Sequence, residues 1–368
     1  MKQKILLLTC GTGEGHNSAA SAVAEALGAQ GVETVRRDPI SFAGEKAKKA
    51  VSGVYNQIIK KTPKMFGAIY KAGEAVDRVR FQSPVYYANT VYAKKLAAYI
   101  LDEKFDAVVC THLFAMEALT YIKKCGLSTV PSYGVLTDYT CIPFFEETRL
   151  DEYFIPHADL TAELCAKGME KERLIPTGIP VLPRFTLHTE KRAAREMLGL
   201  PQDKKIVLVM TGGVGCGNSG EICRALLAAD KDLFICVLTG KNTEMYDDIR
   251  SSFEESRVCV ISFTDKVNVY MNACDVLITK PGGLSSTEAA TANIPFVALI
   301  TIPGCEEKNA AFFSSRGLCV TARSPLQAAK EAASLVADEE KCEAMKKCQR
   351  SVLPQNAAQT IAQRIVNA

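Results

Sequence analysis

Between Val276 and Ala311 a short apolar run stops at a proline and two glycines, a helical pattern begins at once, and a second loop follows. Few folds can use that order of events. Val276 to Thr279 predicts a strand, Pro281, Gly282 and Gly283 predict a sharp turn, and Ser285 to Thr291 predicts the start of a helix. The first backbone N–H groups of a helix have no partner inside it and carry a partial positive charge. Glycines also let the backbone come close to a ligand, so the unit suits a diphosphate. Glu288 falls one turn inside, where a carboxylate can accept hydrogen bonds from two neighbouring hydroxyls such as those of a ribose. The stretch reads as a cradle for a nucleotide sugar.

The same logic recurs along the chain. Lys4 to Thr9 predicts a strand, Gly11 to Gly15 a turn, Asn17 to Gly28 a helix, and Glu33 to Arg36 a second strand. Further short strands are expected at Asp106 to Thr111, Ser132 to Thr137 and Tyr153 to Ile155, with helical patterns between them, which is the signature of a parallel sheet. After the proline-rich stretch Thr177 to Arg184 the alternation starts again, with strands at Lys205 to Met210, Leu233 to Leu238 and Arg257 to Ile261. A chain of 368 residues is long for one core. Two Rossmann-like doubly wound α/β domains are expected, residues 1–183 and 184–368, with the final helix free to pack back on the first.

Several common chemistries are excluded by spacing. Gly11, Gly13 and Gly15 imitate a dinucleotide fingerprint, but His16 stands where the third glycine would allow close packing against a pyrophosphate, and no G-K-[ST] follows for a P-loop. Asp230-Lys231-Asp232 has the spacing of a D-x-D metal motif, yet it precedes its strand and so lies opposite the ligand end; no essential metal and no cofactor are expected. The 14 cysteines form no C-x-x-C pair and read as reduced, small apolar residues. Lys2 and Lys4 before Ile5 to Leu8 faintly imitate a signal peptide, but a glycine turn replaces the cleavage region, so a cytoplasmic location is expected.

Charge is uneven although the net is only +3. Residues 46–104 carry 12 Lys and Arg against 4 Asp and Glu. Lys60, Lys61, Lys64 and Lys71 are interleaved with Tyr55, Met65, Phe66 and Tyr70 in long helical patterns interrupted by Pro63 and Pro84. Two readings stand side by side: a helical subdomain with solvated lysines, or a surface whose apolar residues enter a bilayer while the lysines face anionic headgroups. No nucleic-acid-binding motif accompanies the patch, so nucleic acid is not expected as a partner.

Thr279 to Thr291 with Ile302 to Asn309, together with Gly11 to His16, Thr137 to Tyr139 and Thr177 to Pro180, resembles the family of processive diacylglycerol glucosyltransferases and monogalactosyldiacylglycerol synthases, more distantly the lipid II N-acetylglucosaminyl transferase. One departure is Cys305, where the family usually has Gln. The resemblance implies the GT-B architecture, two such domains facing a central cleft. It also implies an inverting transfer of glucose or galactose from a UDP-sugar to diacylglycerol or glycosyl-diacylglycerol, peripherally on the inner face of an anionic membrane. A UDP-sugar 2-epimerase of the same architecture and a non-catalytic sensor are the rival readings. For the donor, the resemblance implies contacts from Gly212, Gly213, Lys280, Gly282, Gly283, Leu284 and Ser285 to the diphosphate region, the backbone near Phe263 to uracil, Glu288 to ribose, and Gly304, Glu306 and Asn309 to the sugar. His16 is the expected general base, with His112 and Asp138 in the acceptor pocket and next in line for the proton.

Overall fold

The structure is a computed structural model that describes residues 2–11, 14–44, 82–211 and 218–368. Most of the basic stretch, including Lys60, Lys61, Lys64 and Lys71, lies outside the described residues, as do Gly212 and Gly213. Among the described residues, no helix is long and apolar enough to cross a membrane.

The chain alternates strand and helix: β1 (Lys4–Leu8), α1 (Glu14–Ala29), β2 (Glu33–Arg37), α2 (Pro84–Asp102), β3 (Ala107–Cys110), α3 (Leu113–Lys124), β4 (Ser132–Val135), β5 (Glu152–Ile155), α4 (Thr161–Ala166) and β6 (Leu174–Pro176). It continues with α5 (Lys191–Leu198), β7 (Ile206–Met210), α6 (Ser219–Ala229), β8 (Phe234–Gly240), α7 (Thr243–Ser252), β9 (Val258–Ser262), α8 (Val267–Ala273), β10 (Val276–Thr279) and α9 (Gly283–Thr291). Last come β11 (Phe296–Leu299), α10 (Cys305–Ser314), β12 (Val320–Ala322), α11 (Pro325–Ala337), α12 (Glu339–Val352) and α13 (Ala357–Val366). It divides into two compact units, and the second of them includes 183–353; residues 354–368 return to the first.

Each unit holds one six-stranded, all-parallel sheet, in the order β2-β1-β3-β4-β5-β6 and β12-β11-β10-β7-β8-β9. Covered on both faces, such strands must be apolar throughout, and β3, β4, β10 and β11 are buried at every position. One core forms around Ile5, Leu7, Val109 and Phe154, with Ile361 and Ile365 of α13 packed into it; the other forms around Val207, Val237, Ile278 and Val297. Chain order reverses between β1 and β3 in the first sheet and between β7 and β10 in the second, and it is beyond the carboxyl ends of such a pair that ligands bind.

A single device starts three of these strand pairs. Asp106, Asp151 and Asp275, each the residue before its strand, accept through Oδ2 from the N–H of Lys4, Ser132 and Ile206, the first residues of the neighbouring strands, at 2.7 Å. Each aspartate returns its own N–H to the carbonyl of the same partner at 2.8–3.0 Å. Two helix starts differ from the sequence expectation. Pro84, expected as a break between helical stretches, is the first residue of α2 behind Ser83, whose Oγ accepts from the N–H of Tyr86 at 3.1 Å. Residue Gly283, expected in the turn, is already the first residue of α9, with Gly282 as its cap.

Candidate functional site

In the N-terminal unit, chemistry gathers at the reversal between β1 and β3. His16 lies in the first turn of α1, just past β1, and His112 caps α3, just past β3. Their rings meet edge to face with centroids 4.6 Å apart. His16 Nδ1 is 2.7 Å from the Thr111 carbonyl oxygen, which can only accept, so Nδ1 carries the proton and the lone pair is left on Nε2. Thr137 Oγ1, at 3.1 Å, takes a share of the same N–H, and Thr111 Oγ1 donates to the His16 carbonyl at 3.0 Å.

His112 is held the other way round. Its Nδ1 accepts from the Phe114 N–H at 3.2 Å, so its proton sits on Nε2. Burial pushes the pKa of His16 down while the Asp138 carboxylate and the Thr111 carbonyl pull it back up. His112 falls well below the usual value, through burial first and then the neighbouring His16. Both rings are therefore neutral near pH 7, one offering a lone pair and the other an N–H.

A pocket in the same unit is lined on its polar side by His16, Thr137 and Asp138 and on its apolar side by Leu113, Met116 and Phe145. Its loop is pinned from outside: Glu163 of α4 accepts from Thr140 Oγ1 at 2.8 Å and from the Cys141 N–H at 3.1 Å. Sequence reasoning found His16, His112 and the Thr137-Asp138 pair but missed Thr111, whose contact to His16 spans 95 residues.

In the C-terminal unit the corresponding reversal is between β7 and β10, and beyond β10 come Lys280, Pro281 and the start of α9. Because α9 begins at Gly283, the N–H groups of Gly283, Leu284 and Ser285 point out of its first turn, and the Ser286 N–H is the first to return to the Gly282 carbonyl, at 2.9 Å. Glu288 lies one turn on, 9% exposed, and burial pushes its carboxyl pKa up to about 8 against the pull of Arg184. Arg184 was not singled out from the sequence; its signal was only its place at the end of the proline-rich stretch.

The second loop is tied to the first rather than left open. Asn309, 1% exposed, donates through Nδ2 to the Pro281 carbonyl at 3.1 Å. Glu306 Oε2 accepts from the Thr301 N–H at 3.3 Å, the Thr301 hydroxyl at 3.2 Å and the Ile302 N–H at 3.1 Å, and its Oε1 lies 3.5 Å from Lys280 Nζ. Gly304, with φ 99°, turns the chain into α10 in a conformation that favours glycine. Phe263, just past β9, is 66% exposed, and Lys241, just past β8, sits 5.5 Å above its ring. Asp230 and Asp232 form an exposed turn before β8, with Asp230 Oδ1 accepting from the Asp232 N–H at 2.8 Å.

Comparison with known proteins gives the following likenesses. Residues 16–181 match the family model described as monogalactosyldiacylglycerol (MGDG) synthase, and residues 192–352 the one described as glycosyl transferases group 1. A processive diacylglycerol beta-glucosyltransferase of Bacillus pumilus is 28% identical over 99% of this chain and 94% of its own. Its counterpart in Bacillus cytotoxicus is 26% identical over 97% and 92%. Among solved structures, MurG of Acinetobacter baumannii aligns over 100% of both chains with a TM-score of 0.65 and 14% identity. S. aureus MnaA with UDP aligns over 100% of this chain and 96% of its own, with a TM-score of 0.65 and 15% identity. UDP-GlcNAc 2-epimerase from Neisseria meningitidis, bound to UDP-GlcNAc, aligns over 100% of both chains with a TM-score of 0.62 and 15% identity. At such identities these structures show the fold, two Rossmann-like units of the GT-B class.

Proposed function

We propose that the chain, whose residues 16–181 match the monogalactosyldiacylglycerol synthase model and whose residues 192–352 match the group 1 glycosyl transferase model, is an inverting hexosyltransferase, moving glucose or galactose from a UDP-sugar to diacylglycerol or glycosyl-diacylglycerol. The observation that carries this reading is the His16 imidazole, neutral, fixed by the Thr111 carbonyl and left with its Nε2 lone pair at the carboxyl end of β1. That is the equipment of a general base for an acceptor hydroxyl. The pocket beside it is small, with room for a hydroxyl-sized group next to His16, Thr137 and Asp138.

The reaction divides between the units. In the N-terminal unit the acceptor oxygen gives its proton to His16 Nε2, and the Asp138 carboxylate, which already favours the charged ring, stabilises the imidazolium that forms. The bond from the sugar's anomeric carbon to UDP breaks as the acceptor oxygen bonds to that carbon from the opposite side, and negative charge collects on the diphosphate in the C-terminal unit. The N–H groups of Gly283, Leu284 and Ser285 and the positive end of α9 meet that charge without a metal, Glu288 takes ribose hydroxyls, and the backbone near Phe263 takes the uracil. The basic stretch between 46 and 104 carries the enzyme to the anionic inner face of the membrane.

Incubation with UDP-glucose or UDP-galactose and diacylglycerol vesicles, followed by identification of the lipid, tests the proposal. A hexosyl lipid of inverted anomeric configuration is expected. His16→Ala should lose about 10²-fold or more in kcat while UDP affinity stays within about threefold. An epimerised nucleotide sugar formed without lipid would instead establish a 2-epimerase, and a kcat for His16→Ala close to that of the wild type would remove His16 as the base.

A further inference from the structure

Glu306 uses its two carboxylate oxygens differently. Oε2 is built into the second loop by three donors from Thr301 and Ile302, whereas Oε1 has, among the described residues, the ammonium of Lys280 alone, at 3.5 Å. That distance is well beyond the ~2.8 Å of a charge-assisted hydrogen bond and beyond the 2.7 Å of Lys191–Asp275 in the same unit. Lys280 is also the more accessible partner, its side chain 33% exposed against 10% for Glu306, and it stands immediately before the Pro281-Gly282 turn that opens α9. The carboxylate is fixed through Oε2, and the ammonium is held at longer range by a single contact among the described residues.

We propose that Lys280 and Glu306 form an exchangeable ion pair that makes sugar recognition conditional on the diphosphate. The inference rests on the donor-site reading of α9 given above. A diphosphate at the start of α9 brings more than one negative charge next to Lys280, outbids a single carboxylate at long range, and draws the ammonium across. Glu306 Oε1 then stands buried without a partner, a costly state that a sugar hydroxyl relieves by donating to it. UDP-hexose satisfies both ends of the exchange. UDP alone takes the ammonium and leaves the carboxylate oxygen unpaired, so the product is held less well than the donor and leaves after transfer.

Titration calorimetry with UDP and with the preferred UDP-hexose, on wild type, Glu306→Gln, Lys280→Met and the double variant, decides the matter. Gln keeps an oxygen for the Thr301 and Ile302 N–H groups but releases Lys280. UDP should therefore bind about threefold or more tighter to Glu306→Gln, while the advantage of UDP-hexose over UDP shrinks about tenfold. In the Lys280→Met background the gain in UDP affinity from Glu306→Gln should vanish. Lys280→Met alone should weaken UDP and UDP-hexose alike and leave the UDP-hexose advantage within about twofold, because Oε1 lacks the ammonium in the UDP complex of both proteins; this reading does not depend on the Glu306 variant folding. If Glu306→Gln weakens UDP and UDP-hexose alike, or if Lys280→Met enlarges the UDP-hexose advantage, the ammonium does not leave Glu306 when UDP binds and the exchange is wrong. If wild type binds neither nucleotide, the donor site itself falls, a result distinct from the other two.

Discussion

A proton placed on Nδ1 of His16 by a carbonyl 95 residues away is a fact no local pattern contains. The glycine turn before His16 made the residue conspicuous in the sequence; its tautomer, and so its competence as a base, comes from a tertiary contact. Glu306 shows the opposite outcome: the motif pointed at a sugar hydroxyl, and the structure finds one of its oxygens already spent on Thr301 and Ile302. Glu288 was legible as a buried acid one turn into a helix, and its burial has a measurable cost. With a folded pKa of about 8 against an ordinary 4.5, the folded protein binds the proton more tightly than the unfolded chain. Its contribution is thus fully present below the unfolded pKa and is lost as pH rises from there through about 8. Chemical denaturation should find Glu288→Gln near neutral at about pH 4 and stabilising by roughly 3 to 5 kcal/mol at about pH 8.5. Glu288→Ala, which removes the side-chain acceptor that Gln keeps, should lose roughly 1 to 3 kcal/mol of UDP binding, read by calorimetry.

Strands were the most legible elements, since a parallel sheet covered on both faces leaves uninterrupted apolar runs such as Ile206 to Val209. Helix starts were less so. Pro84 looks like a break in a helical pattern and is in fact the first residue of one, where its missing N–H costs nothing, and Gly283 looks like turn because glycine gives no sign of helix. The aspartates that begin the strand pairs were invisible, because the partner of Asp275 lies 69 residues away and that of Asp106 lies 102. Asp275 is the most heavily used of them. Burial opposes its ionisation, yet Lys191, the Ile206 N–H and Arg195 together hold its pKa below the usual carboxylate value. Its contribution is therefore present above the unfolded carboxylate pKa and fades as pH falls through the folded one. Arg195, 5% exposed, has no other carboxylate among its hydrogen-bond partners in the described residues, which are otherwise backbone carbonyls. Asp275→Ala leaves that guanidinium buried and unpaired and should cost about 3 kcal/mol at neutral pH, read as a lower denaturation midpoint.

At the scale of the whole molecule, two cores and a returning tail follow from the chain's path. Helix α13 supplies Ala358, Ile361, Ala362 and Ile365 to the core of the N-terminal unit after the second unit is complete. The sequence allowed such a return without requiring it, since an amphipathic terminal helix does not say which core it serves. Burying two isoleucines and two alanines contributes roughly 4 to 6 kcal/mol, so a chain ending at Leu353 should lose hydrogen-exchange protection in β1, β3 and β4 while still binding UDP in its C-terminal unit. Loss of UDP binding in that truncation would show that the second unit cannot stand alone. The same path has a further consequence at Gly178, whose φ of 93° suits glycine and where a Cβ would come within 3.1 Å of Pro354 Cβ. The outgoing chain, a few residues before it leaves the first unit, lies against the point where the chain returns. A segment whose departure and return lie side by side is a cassette: it can be swapped for a relative's with two cuts, near 183 and 353, without rethreading its host, so that the second unit can change by recombination while the sheet and core of the first are inherited intact.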